Sequence, residues 1–565
     1  MGDMDMRGWK RCAALGLALF LTLAVCRAVG IKGGTQQAEK TGDVYILFTS
    51  DVHCGIDMGF GYAGLQMVRD DLIAAGNEVI LVDNGDSVQG EAIGLLTKGE
   101  AVIGLMNRIG YSVAIPGNHE FEYGMEQFFA LTEMAEFPYI SCNFRFRDEL
   151  VFDPYVIREL GGHRIAFVGV TTPQTLITST PSHFQDGTGA FVYSFGWDET
   201  GETVYEDVQK AVDAARAEGA EYVVVLAHLG SEATCRPWTY ADVISHTTGI
   251  DVLLDGHSHD TDRVVMKNRE GRAVERAACG TKLSCIGWCR ISADGRIRTG
   301  LYTWDSEVPA SELLGLDNDM ARAVAQAAEE TEALLNRKVG VSHAELTVSD
   351  PTVKDANGIP IRMVRRAETN LGDFCADALR FLPGTDAAVI NGGAIRTGLE
   401  RGDVTCRDLI GVFPFENHIV VIRATGQQIL DALEWGARGI PDECGAFLQV
   451  SWLRYEIDDS VPSGCRTGEN GMMIGIEGMR RVRNVFVGDA PIDPDKTYTL
   501  AGTDYILLLN GDGFTAFDGA ELLKPDLGAD RDVLLGYIES LGGVIGEEYA
   551  DPYGQGRIGI IGAGE

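Results

Sequence analysis

Val44-Tyr45-Ile46-Leu47-Phe48-Thr49-Ser50-Asp51-Val52-His53 is the stretch that decides the fold. Six β-favouring residues with almost no polar interruption predict a strand buried on both faces. Two side chains able to bind a metal, Asp51 and His53, follow at once. The same event recurs down the chain. The expected strand at 78–82 runs into Asp83-Asn84-Gly85-Asp86, and the one at 112–115 runs into Gly117-Asn118-His119-Glu120. The strand at 222–227 ends at His228, and the strand at 251–254 leads through Gly256 to His257 and His259. A further strand is expected at 165–170, and helical patterns lie between strands, as at 65–75 and 204–217. Alternation of this kind predicts a layered α/β domain. Ligands arriving at the ends of neighbouring strands converge on one edge of a sheet, where α/β proteins place their sites.

Beyond this domain, residues 313–337 are rich in Ala, Glu and Leu and are expected to form a helical connector. A second α/β region follows, with a helix expected at 371–382 and a strand at 387–390. The expected division is a leader at 1–30, a first domain at 43–305, a linker at 306–338 and a second domain at 339–562. A length of 565 residues fits several domains.

The leader combines Arg7, Lys10 and Arg11 with an apolar run from Cys12 to Val25. That is a signal peptide, since a membrane-spanning helix needs about 20 apolar residues. Export is therefore expected, to an extracellular, periplasmic or cell-surface location. Two processings are open: ordinary cleavage near Gly30, or lipidation of Cys26 within Leu23-Ala24-Val25-Cys26. A lipid at Cys26 would be the chain's membrane tether. Ten of the 12 cysteines follow Cys26, and none shows a zinc-ribbon spacing. Cys279, Cys285 and Cys289 are expected to be packing residues.

The 47 basic residues are outnumbered by 83 acidic ones, a formal charge of −36. Such a surface repels nucleic-acid polymers and suits a soluble exported protein. A small anionic substrate remains compatible, because a local metal pair or arginine cluster outweighs distant charge. Nothing in the sequence points to a protein partner.

Taken singly, each Asp, Asn or His at a strand end reads as a turn residue. Together they form a mixed carboxylate, amide and imidazole set suited to Zn²⁺, Mn²⁺, Co²⁺ or Mg²⁺. One Asp can bridge two ions about 3.5–4 Å apart, the arrangement of two-metal phosphoester hydrolysis.

These motifs resemble the calcineurin-like metallophosphoesterases. The second half resembles the 5′-nucleotidase C-terminal domain through Glu368-Thr369-Asn370-Leu371-Gly372, Asn391-Gly392-Gly393-Ala394-Ile395-Arg396, Gly445-Ala446-Phe447-Leu448-Gln449 and Asn510-Gly511-Asp512-Gly513-Phe514. The combination, over roughly 43–562, resembles the family of UDP-sugar hydrolase/5′-nucleotidases and ecto-5′-nucleotidases. The resemblance implies a four-layer α/β/β/α first domain and a second α/β domain carrying a nucleoside pocket. It implies one metal held by Asp51, His53, Asp86 and His259, and another by Asp86, Asn118, His228 and His257. His259 stands where Asn or Gln is commoner in the family. His119 is implied as the residue acting on the transition state or leaving oxygen, oriented by Glu122, which replaces the usual Asp. Arg365 and Arg396 are implied phosphate ligands, Asn391 a nucleoside contact, Phe447 and Phe514 the rings that sandwich the base, and Asp518 a ribose contact. The implied activity is hydrolysis of nucleoside 5′-monophosphates. Alternatives are a 2′,3′-cyclic-nucleotide phosphodiesterase/3′-nucleotidase, a UDP-sugar hydrolase, or a nucleotide-binding protein without turnover.

Overall fold

The computed structural model describes residues 42–562 except 187–189, 305, 355–357, 359, 469 and 470. The expected leader, with Cys12 and Cys26, lies outside the described residues. No helix among the described residues is long and apolar enough to cross a membrane.

The first domain holds two sheets. One has the strand order Ile297–Thr303, Cys285–Ile291, Val44–Thr49, Glu78–Asp83 and Val113–Ala114, with the last three parallel. The other runs Thr261–Lys267, Ala273–Cys279, Val252–Asp255, Tyr222–His228, His163–Thr171 and Tyr155–Leu160, with its four central strands parallel. Side chains of a strand alternate between faces, and the packing follows that alternation. Ile46, Phe48, Ile80 and Val82 meet Phe167, Val224, Leu226, Val252 and Leu254 between the sheets. Leu47 and Leu81 face outward onto the helices Gly61–Ala74 and Glu100–Ile109. On the far side, Val223 and Val225 face the helices Glu202–Ala217 and Tyr240–His246. Helix, sheet, sheet and helix are thus the four layers. The strand expected at 112–115 is only Val113–Ala114, because Pro116 lacks an N–H and the chain turns there into Gly117-Asn118-His119. Cys279, Cys285 and Cys289 pack between the sheets, and no disulfide joins the described cysteines.

The connector is broken in two. A short helix, Ala310–Leu313, ends before Gly315, whose φ of +60° leaves the right-handed region. The helix Asp319–Leu335 then starts at Asn318, whose side chain caps the Ala321 N–H. Met320, Ala323 and Val324 pack into the outer core of the first domain, so the connector leaves that domain as a docked helix.

The second domain is built on a sheet ordered Leu448–Ser451, Ala387–Asn391, Thr497–Thr503, Ile419–Thr425 and Glu521–Lys524. The helices Asn370–Phe381 and Asp530–Ser540 cover one face, and the helix Gly426–Gly436 covers the other together with a smaller sheet. Thr369 caps the first of these helices by accepting from the Gly372 N–H.

Candidate metal and substrate site

The metal-binding motifs sit where strands of the two sheets end side by side. Backbone conformation there is unusual. Asp51, His53, Asp86, His257 and His259 all have φ between +45° and +82°, a region that costs an L-residue energy and is held only by surrounding contacts. Those contacts are visible. The Asp51 N–H donates to Gly85 O at 2.9 Å, and the His53 N–H donates to Asp86 O at 2.9 Å, locking the first two loops together. Gly117 and Gly256 are required by space, since a Cβ at either would strike Asp86 or Ser50 side-chain oxygens.

Two groups of donors result. Asp51, His53 and His259 form one, and Asp86, His228 and His257 form the other. Asp86 lies between them: its Oδ2 is 3.0 Å from His228 Nε2 and 4.0 Å from His53 Nε2. His259 Nε2 is 3.2 Å from His53 Nε2 and 3.5 Å from Asp51 Oδ1. Asn118 joins the second group, with its Oδ1 at 2.8 Å from His257 Nδ1 and 3.2 Å from His228 Nε2. The outer nitrogens of two rings face backbone carbonyls, His228 Nδ1 with Asn84 O at 2.8 Å and His53 Nδ1 with Gln89 O at 3.1 Å. Such contacts fix the tautomer with the Nε2 lone pair turned inward, as in metal-binding histidines.

Electrostatics point the same way. Burial pushes the Asp51 carboxyl up to about 8, against the pull of His228. Burial also holds His53 and His259 below their ordinary values, and burial with the His228 charge pushes His257 down to about 3. His228 differs: burial disfavours its imidazolium, but the Asp86 and Asp51 charges outweigh this and raise it to about 10. A positive charge is thus favoured between the carboxylates, where a cation would sit, beside three imidazoles held neutral. The donors therefore fit two divalent ions.

His119 stands at the edge of this set. Its N–H donates to Asp86 Oδ1 at 2.8 Å, and its Nδ1 is 2.9 Å from Glu122 Oε1. Burial disfavours the imidazolium, but Asp86 and Glu122 outweigh it and push the group up to about 9. Glu120 was not singled out by residue type, yet its buried carboxylate accepts from the N–H groups of Asp86, Ser87 and Gly117 at 2.6–2.7 Å. It ties together the second and third ligand loops.

In the second domain, the expected recognition residues divide. Arg365, Arg396 and Asn391 come together with Arg362 and Asp512. Asn391 Nδ2 donates to Asp512 Oδ2 at 2.9 Å. Burial and the charges of Arg362 and Arg396 hold the Arg365 guanidinium below its ordinary value. Arg365 Nε and Asn391 Oδ1 are buried with no hydrogen-bond partner among the described residues. Phe447 and Phe514 do not face this cluster. Both are 0% exposed and packed in the second domain's core with Leu433, Trp435 and Leu448, so neither offers a face to a base. Their flanking glycines serve close backbone approach instead, as where Gly393 N–H donates to Gly445 O at 2.8 Å. Two accessible rings border the cluster: Phe415, 56% exposed, with the Arg396 guanidinium 5.3 Å from its centroid, and Tyr505, 37% exposed, whose hydroxyl accepts from the Asp512 N–H at 3.2 Å. Glu416, the neighbour of Phe415, pairs with Arg531 at 2.6 Å. Asp518 is exposed on a turn, where its backbone oxygen accepts from Gln428. The carboxylate that reaches Asn391 is that of Asp512. The run Phe413-Pro414-Phe415 carried a signal of its own, because proline stops the preceding helix and leaves the second ring outside the packing.

Residues 44–261 match the model of the calcineurin-like phosphoesterases, and residues 341–519 match that of the 5′-nucleotidase C-terminal domain. The chain belongs to the 5′-nucleotidase family. It is 26% identical, over 91% of its length, to the trifunctional nucleotide phosphoesterase protein YfkN of Bacillus subtilis, of which it spans only 35%. It is 24% identical to a 5′-nucleotidase of Vibrio parahaemolyticus, covering 95% of this chain and 96% of that one. The putative 5′-nucleotidase of Staphylococcus aureus shares the fold, with a TM-score of 0.56 at 18% identity over 92% of this chain and all of that one. This member of the 5′-nucleotidase family is a metal-dependent phosphoester hydrolase.

Proposed function

We propose that this enzyme hydrolyses nucleoside 5′-monophosphates to nucleoside and phosphate, outside the cytoplasmic membrane. The observation that carries the nucleotide reading is the second-domain cluster. Among the described residues, buried Arg365 Nε and Asn391 Oδ1 have no partner, and the neighbouring Arg396 lies over the exposed Phe415 ring; an unpaired buried donor or acceptor is costly unless a ligand completes it. Arg365 and Arg396 grip the phosphate, as forked, permanently charged guanidiniums do. Phe415 stacks the base, and Asn391 with Asp512 binds the nucleoside. Asp51, His53, Asp86, Asn118, His228, His257 and His259 would hold two divalent ions. When bound, the pair supplies Lewis-acid polarisation of the phosphoryl group and an acidified water. His119 donates a hydrogen bond, then a proton, to the leaving oxygen. Glu122, whose Oε1 is 2.9 Å from His119 Nδ1, orients the imidazole and favours its protonated form. Export rests on the basic start and apolar run at residues 7–25.

A broader phosphoester range is the second reading, favoured by similarity to the trifunctional relative. A phosphate-release panel over AMP, UMP, ADP, UDP-glucose, a 2′,3′-cyclic nucleotide and a simple aryl phosphate separates the two. AMP or UMP should give the highest kcat/KM. An aryl phosphate hydrolysed as well as AMP would remove the nucleotide assignment.

A further inference from the structure

A third group of metal-binding side chains lies away from the dinuclear centre. His183 is on the turn Pro181–Phe184 of the first domain. His418 immediately precedes the strand Ile419–Thr425, and Asp526 follows the paired strand Glu521–Lys524, both in the second domain. One ligand atom from each residue falls within 4.8 Å of the others. His418 Nδ1 is 2.9 Å from Asp526 Oδ1, and His183 Nε2 is 3.8 Å from Asp526 Oδ2. The two imidazoles meet edge to face with centroids 5.3 Å apart.

His418 and Asp526 are hydrogen-bonded to each other, and two details concern how His183 faces that pair. His183 Nδ1 is 2.8 Å from the Phe121 carbonyl and so carries the proton. That leaves the Nε2 lone pair aimed at Asp526 across a gap too long for a hydrogen bond. Two ligand atoms each about 2.0–2.2 Å from one tetrahedral ion sit roughly 3.4 Å apart, between the 2.9 and 3.8 Å separations found here. The imidazole side chains are only 9% and 13% exposed, while Asp526 is 33% exposed, which leaves one side open to water. The carboxylate is already oriented by the Gly528 N–H at 2.7 Å.

We propose that His183, His418 and Asp526 form a third metal site, for a single Zn²⁺-class ion completed by water. Two nitrogens, one carboxylate oxygen and an open position suit such an ion. Because its ligands come from both domains, the ion binds only when the domains are in this arrangement. At 100 times its dissociation constant it favours that arrangement about 100-fold. The Phe121 carbonyl gripped by His183 is two residues from His119, and Thr180 Oγ1 on the same segment donates to Glu122 at 3.3 Å. The site therefore clamps the second domain to the segment that carries His119 and Glu122.

The test uses the full-length protein dialysed against excess Zn²⁺, followed by elemental analysis. Wild type should retain one more equivalent per chain than H183A or H418A, with the remaining ions kept by both variants. The difference counts this site alone, so an error in the dinuclear assignment would appear in the remainder instead. Equal metal content in wild type and well-folded variants would overturn the proposal. Should the variants misfold, anomalous diffraction from wild-type crystals grown with Zn²⁺ decides the matter. A peak between His183 and His418 is expected, and density without one contradicts the site.

Discussion

Replacing Phe415 by Ala isolates the stacking platform from the rest of the enzyme. The ring is 56% exposed, so its loss should leave the melting temperature nearly unchanged. A base stacked on an aromatic side chain contributes about 1–3 kcal/mol, and 1.4 kcal/mol is tenfold. kcat/KM for AMP should therefore fall roughly 5- to 150-fold. An aryl phosphate also serves as a control for Arg396, whose guanidinium rests over the same ring, and its hydrolysis should change less than about threefold. Phe514→Ala and Phe447→Ala should behave differently, because both rings are fully buried. Truncating a core Phe costs about 3–5 kcal/mol. At about 2–4 °C per kcal/mol for a domain of this size, the melting temperature should drop by roughly 6–20 °C. The assays are phosphate release with both substrates and thermal unfolding of the same preparations. If Phe514→Ala melts like wild type yet loses AMP selectively, while Phe415→Ala does not, the assignment of the rings is reversed and the reasoning fails.

His119→Ala should lower kcat by roughly 10²–10⁴ while metal content stays unchanged by elemental analysis; a lost ion would make His119 a ligand instead. Glu122→Gln removes a charge that favours the imidazolium. The His119 pKa must then fall, and the alkaline limb of the kcat–pH profile should move to lower pH. An unmoved limb would deny Glu122 that role. Arg365→Ala should reduce kcat/KM for AMP and for an aryl phosphate alike, whereas a loss confined to AMP would place that arginine on the nucleoside.

The metal donors were legible because each lies within a few residues of a strand end. The parallel pairing of Val44–Thr49 with Glu78–Asp83 then sets their loops side by side. A layered α/β domain was likewise readable from near-continuous apolar runs, whereas the four-layer arrangement was implied by the family resemblance and not by the runs themselves. The Glu120 contacts were not readable, since a carboxylate that accepts three backbone N–H groups looks in sequence like any surface glutamate. Phe447 and Phe514 misled for a definite reason. Glycine flanks report close backbone approach, and burial of the ring between them depends on Trp435 and Leu433 from a helix elsewhere in the chain. His183, His418 and Asp526 are distant in sequence, and only domain docking brings them together.

Metal dependence tests the central claim most directly. The protein should be stripped with a chelator, shown by elemental analysis to be metal-free, and assayed for phosphate release from AMP before and after adding back Mn²⁺, Zn²⁺ or Co²⁺. Hydrolysis should be abolished in the stripped protein and return as the donors around Asp86 refill. Full turnover of AMP by demonstrably metal-free protein would contradict the reading of Asp51, His53, Asp86, Asn118, His228, His257 and His259 as a catalytic metal centre.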